Sequence, residues 1–264
     1  MLRKTGFLMA LAMTVTALHA QEQEAPAAAA CPSERAVGPL SARELTALGD
    51  EVLRQKNGIE GIDRALMLYR DAAKCKDGLA AMRLADIYVP SLAPGYRDAG
   101  VRLYEMAVEQ GYRDAIVPLA NLYYFGNYGV PLNYARAREL YEQAAQFGDG
   151  LALNNLGDMV ENGRAVAVDY VQARKLYERS AAAGEPMGFV SLAGILSEGH
   201  GVTPDPVLAL AYLDYALTLQ NEGDFIRNLR RPLAATLSAG QQERAAALVV
   251  RWRSEGPPLR LKDD

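Results

Sequence analysis

The stretch that decides the fold runs Leu119-Ala-Asn-Leu-Tyr-Tyr-Phe-Gly126-Asn-Tyr-Gly129-Val130-Pro-Leu-Asn-Tyr-Ala-Arg-Ala137-Arg-Glu-Leu-Tyr141-Glu-Gln-Ala144-Ala145. Apolar residues recur in it at i, i+3, i+4 and i+7, interrupted once around Gly126 and Gly129, which predicts two helices joined by a loop. Its anchors return along the chain. Leu48, Leu84, Leu119, Leu156, Leu192 and Leu229 are spaced by 36, 35, 37, 36 and 37 residues, and Tyr69, Tyr104, Tyr141, Tyr177 and Tyr212 by 35, 37, 36 and 35. From each of the first four tyrosines to the next leucine the gap is always 15 residues, while from leucine to tyrosine it varies between 20 and 22. A fixed link between units and an elastic one within them is the pattern of a stacked array, in which neighbours must meet rigidly and the loop inside a unit is free to vary.

Each unit reads as a helical hairpin. The first arm has the form seen in Ala80-Ala-Met-Arg-Leu84-Ala-Asp-Ile-Tyr88, the second that of Ala137 to Ala145. Small residues one turn before and after each tyrosine let two helices approach while the ring fills the gap. Ser41 with Glu44 makes a capping box that opens the first helix. Gly111, Gly148 and Gly184 are placed to stop second helices in the left-handed conformation.

These residues resemble the Sel1-like repeat, a relative of the tetratricopeptide repeat with a Gly-x-Gly-Val loop between its helices. Gly199-His200-Gly201-Val202 matches that loop, and Gly163-Arg164-Ala165-Val166 matches it with one departure. The first two units carry Asn57-Gly58 and the stretch Pro90 to Pro94 instead. The resemblance covers roughly residues 41–252 and is strongest over 115–216. It implies an all-α fold, a right-handed α-solenoid of about six stacked hairpins, with the helix from about Ser238 to Trp252 as a C-terminal cap.

The domain reading is a signal peptide over 1–20, a flexible leader over 21–40, the repeat domain over 41–255 and a tail over 256–264. Arg3 and Lys4, the apolar run Gly6 to Leu18 and the small Ala20 form a signal segment cleaved after Ala20. The run is too short for a bilayer span, so no membrane insertion is expected after cleavage, and the chain is expected in the periplasm. Two cysteines in an exported chain suggest one disulfide, Cys31–Cys75. Neither has a CxxC neighbour or a histidine partner, so redox chemistry and zinc binding at the cysteines are not expected.

With 28 Lys+Arg against 32 Asp+Glu and a net charge of −4, the chain lacks the basic excess that a nucleic-acid binder uses to neutralise phosphates. It contains no Gly-x-Ser-x-Gly, no phosphate-binding glycine loop, no HExxH, no EF-hand loop and no Ser-x-x-Lys. No enzyme activity, cofactor or metal is expected. His200 fills the variable position of a repeat loop and is read as structural. Cysteine-rich Sel1-like proteins associated with β-lactam binding are similar only in their helices, and their per-repeat cysteines are absent here.

Superposing the units puts Asp50, Asp86, Asn121, Asp158 and Gly194 at one position, two residues after each anchor leucine. By analogy with tetratricopeptide grooves, that position lines the concave side. Tyr124 and Glu161 lie one turn on, with Glu198 or its neighbour Ser197 equivalent, and Asn154 and Asn155 half a turn back. Asp50, Asp86, Asn121, Tyr124, Asn154, Asp158 and Glu161 are therefore the candidate partner-binding residues, and their acidic balance favours a protein partner with a basic surface. A solvated helix face is the competing reading. Tyr123, Tyr124, Phe125 and Tyr128 are read as packing between hairpins rather than as a docking patch. Two roles remain open: a periplasmic scaffold or regulator, and an immunity protein that neutralises a toxic secreted effector such as a phospholipase, as some Sel1-like proteins of similar size do. A monomer is expected.

Overall fold

The computed structural model describes residues 41–55, 58–91, 95–219 and 223–259. The expected signal segment, the leader with Cys31, Asn57, Pro94 and residues 260–264 lie outside the described residues. The described chain contains twelve α-helices and no strand, and forms two compact units that meet in sequence between Asn133 and Tyr134.

In the first unit, α1 (Ala42–Arg54) packs with α2 (Gly58–Lys74), and α3 (Gly78–Tyr88) with α4 (Tyr96–Glu109), before α5 (Ile116–Phe125). The second hairpin lies against the first through both α2–α3 and α1–α3 contacts. In the second unit, α6 (Tyr134–Ala145) packs on α7 (Gly150–Glu161), which pairs with α8 (Tyr170–Ala182). The next hairpin is α9 (Pro186–Glu198) with α10 (Pro206–Leu219), and α9 also touches α7. Contact between successive first helices as well as within hairpins is the connectivity of an all-α solenoid.

The anchor tyrosines set the spacing. Tyr69, Tyr104, Tyr141, Tyr177 and Tyr212 are between 0 and 6 % exposed. The residue beneath each ring must be small. A Cβ on Gly49 would sit 2.6 Å from Tyr69 Cε1, and one on Gly157 would sit 2.4 Å from Tyr177 Cε1. Ala85 and Ala193 hold the equivalent register position and are buried.

The fixed link between units has a backbone cause. Gly111, Gly148 and Gly184 end second helices at φ values of 77°, 79° and 81°, as expected, and Lys76 adopts 61° in the same role. An N-cap then opens the next first helix: the Asp77 carboxylate accepts from Ala80 N at 2.8 Å, and Asp149 accepts from Ala152 N at 2.8 Å. Ser41 and Glu44 form the anticipated capping box. The elastic link keeps its loop shape through its one departure from the motif, because Ala165 takes φ 57° where Gly201 takes 69°. That strain costs about 1–2 kcal/mol in a residue with a Cβ.

The leucine register fails at its end. Leu84, Leu119, Leu156 and Leu192 are buried, but Leu229 is 40 % exposed. In α11 (Asp224–Thr236) the buried residues are Ile226 and Ala234, so this helix turns a different face inward. Both α11 and α12 (Ala239–Glu255) pack on α10. The cap is α12, whose Trp252 is 1 % exposed and lies 5.2 Å from the Tyr212 ring and 6.0 Å from that of Tyr215.

Replacing Gly157 by Ala is expected to destabilise the protein by about 1–3 kcal/mol through overpacking. Gly194, where nothing lies within 4 Å of an added Cβ, is helical and open, so Gly194→Ala is expected to stabilise by about 0.5–1 kcal/mol. Urea unfolding of the two variants beside the parent checks this; equal effects would remove ring contact as the constraint.

Candidate functional site

A tyrosine hydroxyl buried between helices needs an acceptor, since leaving it unpaired costs about 1–3 kcal/mol. The first helices supply it. Tyr69 donates to Asp50 Oδ1 at 2.6 Å, Tyr104 to Asp86 Oδ1 at 2.5 Å and Tyr177 to Glu161 Oε2 at 2.7 Å. Tyr141 hydrogen-bonds with the Asn155 side chain. Burial, reinforced by those acids where they are present, pushes the hydroxyl pKa of Tyr69, Tyr104 and Tyr177 up, so they remain donors throughout the neutral range. The acidic track inferred from the repeat register is thus built into the hairpins before any partner arrives.

In the first unit Asp50 and Asp86 line one open depression of about 390 Å³ with Leu53, Arg54, Tyr69, Arg83 and Ile87. Arg83 Nε lies 3.2 Å from Asp50 Oδ1. Asp86 is exposed at its rim, and Asn121 is half-buried. Tyr124 is 3 % exposed and packs edge-to-face on Phe125 at 4.7 Å, so its ring is part of the core. Phe125 and Tyr128, read as packing residues, are instead 55 % and 54 % exposed.

In the second unit Asp158 accepts from Arg164 Nη1 at 3.1 Å and from Asn162 Nδ2 at 2.8 Å. Glu161, not Asp158, takes the tyrosine hydroxyl. Asn154 is 7 % exposed and accepts from Ser191 Oγ at 2.8 Å, which ties α7 to α9 rather than facing a ligand. The loops repeat a contact of their own. Arg164 lies over the Tyr134 ring at 5.8 Å, and His200 stacks on Tyr170 at 4.4 Å. Each is the residue after the first loop glycine, set against the aromatic that opens the preceding second helix. His200 Nδ1 also lies 3.0 Å from Glu161 Oε1 and 3.3 Å from Glu198 Oε2.

Gly194 provides no acceptor for Tyr212. The hydroxyl instead donates to the Pro258 carbonyl, bringing the segment after α12 back onto the hairpin, with Leu259 against the core. Sequence reasoning did not place Arg83, Arg164 or Pro258 here. The common loop position of Arg164 and His200 was a usable signal for one of them, whereas the return of Pro258 over 46 residues had none.

Cys75 is not a free thiol, while its expected partner Cys31 lies outside the described residues. No helix among the described residues is long and apolar enough to cross a membrane.

The Sel1 repeat family model matches residues 79–112, 114–149, 150–185 and 191–221, together about half of the chain. Among solved structures, a Sel1 repeat protein from Oxalobacter formigenes is 27% identical with TM-score 0.54, over 66% of this chain and 70% of its own. A protective antigen of uropathogenic Escherichia coli with an SLR fold is 23% identical with TM-score 0.48, over 85% of this chain and 58% of its own. A Sel1 repeat protein from Klebsiella pneumoniae subsp. pneumoniae is 20% identical with TM-score 0.45, over 73% and 93%. No curated protein matches the chain.

Although Asp86 is open to solvent at the rim, partial desolvation of the carboxyl against the helices raises its pKa and that of Asp158 above the ordinary 3.8. The Tyr104 hydrogen bond and Arg83 at Asp86, and Arg164 at Asp158, offset only part of the rise. A carboxyl whose folded pKa is raised costs stability while it is charged, and that cost is relieved as pH falls through the folded value. The double variant Asp86→Asn, Asp158→Asn is therefore expected to melt no lower than the parent at neutral pH. Its advantage should shrink as pH approaches 3.8. A variant less stable at neutral pH, with the gap closing in acid, would reverse the sign.

Proposed function

Because the chain belongs to the Sel1 repeat family, we propose that it is an exported protein–protein interaction module, a scaffold or regulator of the periplasm, that holds partner segments along the ladder side of the first helices within each unit. The observation that carries this reading is the chain's own segment after α12. Where the ladder position is Gly194 and offers no acceptor, a backbone carbonyl, that of Pro258, takes the tyrosine hydroxyl. Non-helical backbone is thus compatible with this side of a hairpin, and side chains at the remaining ladder positions supply complementary groups.

The partner's chemistry follows from what the ladder has left to offer. One oxygen of Asp50, Asp86 and Glu161 is committed to a tyrosine, while a carboxylate has about four acceptor sites. Backbone N–H groups and Lys or Arg side chains of a partner suit the rest, which favours a basic segment. Arg83 and Arg164 beside the acids make the surface selective for alternating charge rather than attractive to any cation. Export rests on the basic and apolar N-terminal segment. It carries the Cys31–Cys75 disulfide with it, since such bonds persist in oxidising compartments.

The test is affinity capture from a periplasmic extract, with the chain and its Asp50→Asn, Asp86→Asn, Asp158→Asn variant as parallel baits. The amides at 50 and 86 keep an acceptor for Tyr69 and Tyr104, Glu161 rather than Asp158 takes the Tyr177 hydroxyl, and all three changes remove charge. The expected result is a partner retained by the parent and lost, or weakened at least tenfold, with the triple variant. Equal capture by both baits would remove the ladder from recognition. A single dominant partner bound at nanomolar strength would replace the scaffold role with that of an immunity protein.

A further inference from the structure

The acids at the ends of α7 and α9 are placed against the electrostatics of their own helices. Glu161 is the last residue of α7 and Glu198 the last of α9. The C-terminal turn of a helix carries partial negative charge and favours a cation. Two carboxylates and two helix C-termini therefore converge on one spot, and the group held between the carboxylates is His200.

We propose that Glu161, Glu198 and His200 form a binding site for a divalent transition metal ion, with Zn²⁺ as its representative. One ligand atom from each residue lies within 4.8 Å of the other two. The Nδ1 distances to the two carboxylates, 3.0 and 3.3 Å, approach the edge of about 3.3 Å that a tetrahedral centre with arms near 2.0 Å requires. Glu198, 61 % exposed, can turn to close the third edge. A fourth position is left for water or a partner's side chain.

The surroundings orient these ligands as metal sites require. Tyr177 donates to the other oxygen of Glu161 at 2.7 Å, which leaves Oε1 aimed at the imidazole. The Tyr170 ring stacks on His200 with an interplanar angle of 25° and fixes the plane of the imidazole. The loop backbone is held too, with Gly199 N and His200 N both donating to Ile195 O, at 2.8 and 3.2 Å. Partners of this kind set the direction of a ligand and tune its affinity. One imidazole with carboxylates suits zinc and its neighbours better than magnesium, which takes oxygen ligands and retains its waters. The ion would join α7 to α9 and so clamp two consecutive hairpins, taking up the Glu161 oxygen that the ladder otherwise offers a partner.

The test is titration of the full chain with ZnCl₂ in a buffer free of chelators at pH 7.5, followed by calorimetry and by the melting temperature. The expected result is one equivalent bound with micromolar or tighter affinity and a raised melting temperature. Glu198→Gln and His200→Asn, both at sites with solvent access, are expected to lose at least about tenfold in affinity and to abolish the thermal shift. Glu243→Gln, an exposed acid elsewhere, should change neither. Binding unaltered by Glu198→Gln and His200→Asn, an equal response to Mg²⁺, or no binding below millimolar zinc would each overturn the assignment and leave His200 as a loop residue lying between two acids.

Discussion

A tyrosine ring that fills the gap between two helices carries a hydroxyl into the interior with it, and that hydroxyl must be met. This requirement orders the rest of the molecule. The ring demands Gly or Ala beneath it, as at Gly49, Ala85 and Gly157. The hydroxyl demands an acceptor one turn or less away on the first helix, which Asp50, Asp86 and Glu161 provide. Steric and polar demands thus fall on neighbouring residues of one helix, and together they set the relative position of the two arms. The acids that decorate the ladder are there for the hairpin first, and recognition uses the acceptor capacity that remains.

The same logic extends to the connections. A left-handed residue followed by an Asp or Glu cap turns the second helix into the next first helix at Lys76–Asp77, Gly148–Asp149 and Gly184–Glu185, and Lys76 shows that the geometry outranks the preference for glycine. Within a hairpin, the loop carries a residue back to stack on the preceding repeat, as Arg164 does on Tyr134 and His200 on Tyr170. Neighbouring repeats are therefore joined at the core and again at the loop, so the loop histidine and arginine contribute to assembly as well as to any ligand they hold.

Most of the fold was legible because repetition makes a register visible. The five tyrosines, the glycine stops and the capping box of Ser41 and Glu44 all occupy the positions their spacing indicates. Leu229 continued the spacing but not the packing, because α11 packs on α10 with Ile226 and Ala234 turned inward instead. The site was legible only as a track. Position along a helix identifies a face, but not which members of that face are drawn inward. Tyr124 and Asn154 are buried because neighbouring side chains, Phe125 and Ser191, close over or bind them. The pairing of each acid with a tyrosine 16 to 19 residues away depends on how far apart the arms lie, which no single-helix pattern encodes.

The most direct measurement of this account is a double-mutant cycle on one couple, Tyr104→Phe with Asp86→Ala, by urea unfolding at neutral pH. Asp86 sits at the rim of the hairpin and its removal opens no core cavity, so the cycle isolates the hydroxyl–carboxylate bond. If the couple holds the hairpin together, the two changes should be non-additive by about 0.5–3 kcal/mol. Additivity within about 0.5 kcal/mol would contradict it, and would return the acids of the ladder to the status of a solvated face.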